Sequence, residues 1–201
     1  LSANLEPRYG MVIDLRRCVG CHSCTVSCKM ENNVPEGAYR SWVVEGDKGI
    51  YPNVTRVKLP RLCNQCQDAP CQTVCPVKAT HKDEGGVIVV DPDKCIGCRY
   101  CIAACPYDAR FLNKETGMAE KCDLCIGRIK AGLMPACISN CIAHARIFGD
   151  LNHPDSEINR LLAEHPAQAL RSDLGTRPSV FYIGLDEAFD SISLNDLERR
   201  K

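Results

Sequence analysis

Aromatic side chains are scarce in this chain of 201 residues: they make up 5% of it, with a single Trp and four Phe. Such residues usually anchor a core, so an organic core alone looks thin here. No apolar run approaches the roughly 20 residues that span a bilayer, which excludes a direct membrane span and leaves any anchor to be borrowed. Neither sign of charge is in excess, with 25 Lys and Arg against 25 Asp and Glu. That balance lacks the basic footprint of a nucleic-acid binder, so no nucleic-acid partner is expected. Also missing are a Gly-rich phosphate loop, a dinucleotide fingerprint and a nucleophile elbow. No catalytic residue is assigned.

What the chain has instead is cysteine, sixteen of them. Cys95-Ile96-Gly97-Cys98-Arg99-Tyr100-Cys101-Ile102-Ala103-Ala104-Cys105-Pro106 is the bacterial ferredoxin run C-x₂-C-x₂-C-x₃-C-P without a departure. In such a loop the first three cysteines wrap one cubane, Gly97 lets the backbone come close, and Pro106 stops the short helix that carries Cys105. Cys18, Cys21, Cys24 and Cys28 repeat the spacing. Cys63, Cys66, Cys71 and Cys75 follow x₂, x₄, x₃ and then Pro76, and Cys122, Cys125, Cys137 and Cys141 follow x₂, x₁₁, x₃. All sixteen cysteines fall into these four quartets. The first and fourth quartets lack the following proline, having Lys29 and Ile142 there; the proline shapes a helix start and ligates nothing.

This crowding argues for metal ligands rather than disulfides, and the spacing is not that of paired zinc knuckles. Cys18-Val19-Gly20-Cys21-His22 also matches the attachment motif of c-type haem. That reading would strand Cys24 and Cys28 and spoil the count, so His22 is expected beside a cluster or at the surface. His81, His144, His153 and His165 have no ligand spacing. With no quartet position replaced by another residue, four [4Fe-4S] clusters are expected, all sixteen cysteines binding iron. Together they add a formal charge of roughly minus eight. Lys29, Arg61, Lys78, Arg99, Lys121 and Arg128 lie beside the quartets and are placed to offset it, although for any one of them alone a solvated surface charge is the more ordinary reading. Folding is expected to depend on the clusters.

In a two-cluster ferredoxin the fourth cysteine of each run ligates the other cluster. Applied here, the rule predicts Cys18, Cys21, Cys24 and Cys141 for one cluster and Cys28, Cys122, Cys125 and Cys137 for a second. It predicts Cys63, Cys66, Cys71 and Cys105 for a third and Cys75, Cys95, Cys98 and Cys101 for a fourth. The predicted elements fit this plan: a strand over 10–15, a helix over 25–32, hairpins over 79–91 and 110–121, and a closing strand over 145–148. Between them, strands over 40–45 and 54–59 flank a turn-rich 46–49. The fold class is therefore α+β, with two nested ferredoxin-like βαββαβ units. Residues 8–33 plus 114–149 form the outer unit, 34–60 an inserted hairpin, 61–113 the inner unit, and 150–201 a C-terminal docking extension with a helix over 157–164. Residues 186–201 are polar and expected to be partly disordered or ordered only by a partner.

This four-quartet order, with x₁₁ inside the fourth, resembles the iron–sulfur electron-transfer subunits of membrane-bound molybdopterin oxidoreductases, the group that includes dimethyl sulfoxide, polysulfide and formate enzymes. The likeness covers about residues 8 to 185. Within the group, residues 15–28, 59–63, 106–111 and 180–189 are most similar to the tetrathionate reductase branch. The resemblance implies a non-catalytic relay between a quinol-oxidising membrane anchor subunit and a molybdopterin catalytic subunit. It also implies a place on the periplasmic side of the cytoplasmic membrane, peripheral through those partners and reached by twin-arginine export; the start at Leu1 fits a removed leader. The same relay in a polysulfide, thiosulfate, arsenate or selenate reductase, and a soluble poly-ferredoxin, stay open as alternatives.

Overall fold

A computed structural model of the chain describes residues 6–186 and Phe189. Its centre is β1 (Tyr9–Asp14), where Met11, Val12 and Ile13 are all 0% exposed. A strand buried on both faces needs neighbours on both edges and shows a continuous apolar run. β8 (Arg146–Asp150) lies antiparallel on one side, with Phe148 opposite Met11, and β10 (Val180–Ile183) lies parallel on the other, with Val180 opposite Met11. The two-residue β9 (Ala167–Gln168) pairs with β10, so the sheet order is β8-β1-β10-β9.

Three separate two-stranded sheets surround this one. β2 (Ser41–Ile50) and β3 (Asn53–Leu62) form the longest, β4 (Thr80–Lys82) and β5 (Ile88–Val90) the second, and β6 (Arg110–Leu112) and β7 (Ala119–Lys121) the third. The helices are short: α1 (Ser23–Glu31), α2 (Pro70–Thr73), α3 (Tyr100–Ala103), α4 (Ile126–Lys130) and α5 (Ala136–Ser139) all lie in or beside the cysteine runs. α6 (Glu157–Glu164) is capped as expected by Ser156, whose Oγ accepts from the Asn159 N–H at 3.4 Å, a cap worth ~1 kcal/mol. The mixture of helix and strand agrees with the α+β expectation. Among the described residues no helix is long and apolar enough to cross a membrane.

Two expectations are corrected. The turn placed over 46–49 is strand instead: pairing runs unbroken from Ser41 opposite Leu62 to Ile50 opposite Asn53, and the chain reverses at Tyr51-Pro52. Gly46 and Asp47 are tolerated within the strand because this part is exposed, with Arg56 Nε 2.8 Å from Asp47 Oδ1 across the ladder. Gly49 is required by the tight reversal, since at its φ of +101° a Cβ would sit 2.2 Å from the Asn53 carbonyl oxygen. Second, the segment from 150 onward is more than an extension. β10 fills the edge of β1, Tyr182 is 0% exposed, and its hydroxyl donates to the Pro60 carbonyl at 3.0 Å. Most of the polar stretch 186–201 lies outside the described residues.

Candidate metal centres

Each cysteine run is a loop that leads into a short helix, and in three of the four a left-handed residue stands at the helix start. His22 (φ 59°) precedes α1, Arg99 (φ 67°) precedes α3, and Cys125 (φ 55°) precedes α4. In the first run the helix itself holds the last cysteine; in the second, third and fourth, Cys75, Cys105 and Cys141 follow two residues after α2, α3 and α5. Cys28 lies on α1, which packs against α5, the helix of Cys137; α2 and α3 pack on each other in the same way.

The structure accordingly gathers thiols from different runs. Cys18, Cys21, Cys24 and Cys141 line one cavity. Cys63, Cys66, Cys71 and Cys105 line a second, and Cys75, Cys95, Cys98 and Cys101 a third. The remaining four, Cys28, Cys122, Cys125 and Cys137, are all buried. Burial, then the nearby Cys137 and Cys125 sulfurs, push the Cys28 thiol up to about 12. Cys122 is likewise pushed well up by burial and by Cys28. Among the described residues no group of three or more His, Cys, Asp or Glu sits close enough for one metal ion. Three of the four sets instead line cavities, the arrangement that suits a polynuclear cluster.

Donor chemistry supports the same fit. The gathered side chains are soft sulfurs only, the ligand type of iron–sulfur clusters. Backbone N–H groups point at them, from Ala145 to Cys141 Sγ at 3.3 Å and from Leu124 to Cys122 Sγ at 3.4 Å. Burial pushes Cys66 up to about 12 and Cys105 up to about 11, so in the protein alone these are neutral thiols. Ligation needs thiolates, which iron and nearby cations stabilise.

Cations are present, and in unusual places. Arg61, Arg110, Lys121 and Arg146 are only 2%, 4%, 3% and 3% exposed, where a lone charge is costly. Of the six bases noted from the sequence, Arg61 and Lys121 are buried. Arg61 donates to the Tyr107 carbonyl at 2.9 Å and lies 5.2 Å over the Trp42 ring. Lys78 and Arg99 are exposed. Lys29 caps the Pro35 and Ala38 carbonyls at 3.0 and 2.8 Å, and Arg128 pairs with Glu31 at 2.8 Å. Arg110 and Arg146 are not evident from composition. Yet each is the fifth residue after the last cysteine of its run, Cys105 or Cys141, follows an alanine, and opens a strand. That shared offset is the signal that identifies them. His22 lines the first cavity with its Nε2 3.6 Å from Glu45 Oε1.

Gly97 holds the third cavity's loop at φ +67°, and a Cβ there would lie 2.3 Å from the Gly117 carbonyl oxygen. Gly97→Ala therefore costs about 1–2 kcal/mol in backbone conformation before the clash is counted. We expect a lower Tm and the loss of about a quarter of the bound iron, the share of one cluster in four; iron analysis beside a thermal melt checks it.

Comparison with known proteins agrees with this chemistry. Residues 54–151 match the 4Fe-4S dicluster domain family. The B subunit of the tetrathionate reductase of Salmonella typhimurium is 52% identical over 186 residues, covering 90% of this chain and 74% of that protein. The putative iron–sulfur B subunit of a dimethyl sulfoxide reductase from Halobacterium salinarum is 42% identical, covering 87% and 78%. The B subunit of the selenate reductase of Mesobacillus selenatarsenatis is 40% identical, covering 89% and 72%.

Proposed function

This chain belongs to the family of iron–sulfur subunits of reductase complexes that includes those of tetrathionate, dimethyl sulfoxide, polysulfide, selenate and arsenate reductases, and from that premise we propose that it serves a tetrathionate reductase. It is an electron-transfer subunit and not the catalytic one. Bound in its four sites, [4Fe-4S] clusters supply one-electron transfer. In this reading the chain stands between a quinol-oxidising membrane subunit and a molybdopterin catalytic subunit, on the periplasmic side of the membrane and peripheral through those partners.

The ligand sets are Cys18, Cys21, Cys24 and Cys141 (site 1), Cys28, Cys122, Cys125 and Cys137 (site 2), Cys63, Cys66, Cys71 and Cys105 (site 3), and Cys75, Cys95, Cys98 and Cys101 (site 4). The observation that carries the reading is the convergence of thiols into these sets. Sites 3 and 4 draw only on residues 61–113, and sites 1 and 2 only on 8–33 and 114–149. That division supports two nested ferredoxin-like units, the outer one tied by the pairing of β1 with β8.

Neighbouring thiols also support an order. Cys137 of site 2 feels Cys24 of site 1, and Cys122 of site 2 feels Cys63 of site 3. Arg110 feels thiols of site 3 and also Cys101 of site 4. The sites thus run 1-2-3-4, and the two exposed cysteines, Cys21 and Cys98, belong to the two end sites. Partners that give and take electrons meet the chain there.

The test combines content with turnover. Anaerobically purified protein should hold about sixteen iron and sixteen sulfide per chain and accept electrons from a reduced viologen. It should leave tetrathionate untouched until a molybdopterin subunit is added. Zinc in place of iron, or about eight iron, would sink the four-cluster reading, and turnover by the pure chain would sink the relay role. Preferential turnover of selenate or arsenate by the native complex would move the substrate assignment.

A further inference from the structure

Among the described residues, three of the four buried cations occupy related positions, one in each gap along the proposed order of sites. Arg146 lines the cavity of site 1 and has Cys137 of site 2 and Cys24 of site 1 as neighbours. Its Nη1 and Nη2 are buried with no oxygen acceptor on the protein, and the Cys137 sulfur of site 2 is the hydrogen-bonding group beside them. Lys121 donates to the carbonyl of Cys122, a site 2 residue, at 2.8 Å. It also donates to the carbonyl of Ile88, which lines site 3. Arg110 lines site 3 and donates from Nη2 to Cys71 Sγ at 3.0 Å, while its Nη1 donates at 3.2 Å to Thr80 Oγ1, which lines site 4.

We propose that Arg146, Lys121 and Arg110 are shared electrostatic elements, each raising the reduction potentials of the two clusters that flank its gap. The inference rests on the reading that the four sites hold clusters.

Reduction adds one negative charge to a cluster, and a cation a few ångströms away favours the more negative state, most strongly where water is excluded. Hydrogen bonds to cluster sulfur act in the same direction. The buried nitrogens of Arg146 have the sulfur of Cys137, a site 2 residue, as their acceptor, and a buried donor left unmade is costly; sulfur at the cluster is the acceptor at hand. A shared cation does a second thing. It offsets the repulsion between neighbouring reduced clusters, so that an electron on one site obstructs the next step less. Arg110 and Arg146 reach their gaps by the same route, from the first residue of the strand that follows a crossing cysteine. Lys121 ends β7, next to Cys122.

The experiment is an EPR-monitored redox titration of the holoprotein and of Arg146→Gln, Lys121→Met and Arg110→Gln, each first checked for iron content. Failure of wild type to hold four clusters defeats the underlying reading, whereas the potentials test this inference alone. With four clusters present, each variant should lower two of the four potentials and leave two. Arg146→Gln and Arg110→Gln should affect complementary pairs, and Lys121→Met one member of each pair. Arg146→Lys retains the charge but not the two-nitrogen fork, so it should lower the same two potentials as Arg146→Gln by less. If the glutamine variant assembles incompletely, Arg146→Lys carries the test through the identity of the two affected clusters. Unchanged potentials, a uniform fall in all four, or a lysine variant as shifted as the glutamine one overturns the proposal.

Discussion

Replacing Cys105 with serine is expected to damage the cluster cradled by Cys63, Cys66 and Cys71 and to spare the one cradled by Cys95, Cys98 and Cys101, the run to which Cys105 belongs in sequence. The geometry behind this is local. Cys95, Cys98 and Cys101 line a cavity with Cys75, while Cys105, carried off by α3, lines the cavity of the other run. Serine offers a hard, weakly acidic oxygen where iron is held by soft thiolate. The site should therefore lose one iron or the whole cluster, about four of roughly sixteen iron atoms. Iron analysis gives the size of the loss, and EPR gives its identity: the Cys105→Ser spectrum should lack the signal that Cys66→Ser lacks. Cys75→Ser should in turn match Cys98→Ser. If Cys105→Ser matches Cys98→Ser instead, the crossing of ligands between runs is wrong, and the nested arrangement drawn from it falls as well.

The parts of this protein that could be read from the chain are those set by spacing. Cysteines three apart, followed by a short helix, dictate which thiols a loop gathers and which one it sends away, and three cavities are each lined by thiols of two runs. Short elements with no periodicity were harder. Gly46-Asp47-Lys48-Gly49 has the composition of a turn, but ten paired residues on each side of Tyr51-Pro52 outweigh it. α4 lies in the x₁₁ stretch of the fourth quartet, where five helical residues leave almost no pattern. β10 is a four-residue apolar run, and nothing local says that its partner is β1, far away in sequence. Arg110 and Arg146 are single residues whose meaning depends on what the fold places around them. Composition counts such residues as ordinary surface charge; only their common offset from Cys105 and Cys141 marks them out.

Removing the iron is expected to unfold the chain rather than to empty it. The main buried cluster of the fold includes Cys24, Cys63, Cys66, Cys71, Cys101, Cys122 and Cys137 among its aliphatic side chains, so the thiols are part of the core and not an attachment to it. Without clusters, the cavities they line lose packing contacts, each void lowering stability in proportion to its size. The buried cations Arg110, Lys121 and Arg146 would also lose the negative charge they face, and a buried charge without a counter-charge costs several kcal/mol. Metal binding at a single structural zinc site contributes about 10–16 kcal/mol to folding in small peptides, comparable to the roughly 5–15 kcal/mol that holds a whole domain together. Loss of four centres exceeds any reserve this aromatic-poor core has. The measurement is anaerobic extraction of iron with a chelator, followed by circular dichroism and emission of the single Trp, Trp42, which is 6% exposed in the folded chain. The cooperative thermal transition should vanish and the emission should move to that of a solvated indole. Addition of iron and sulfide under reducing conditions should restore both. An iron-free chain that still melts cooperatively within a few degrees of the holoprotein would mean that the organic core suffices, and that the buried cations are compensated by something other than the clusters.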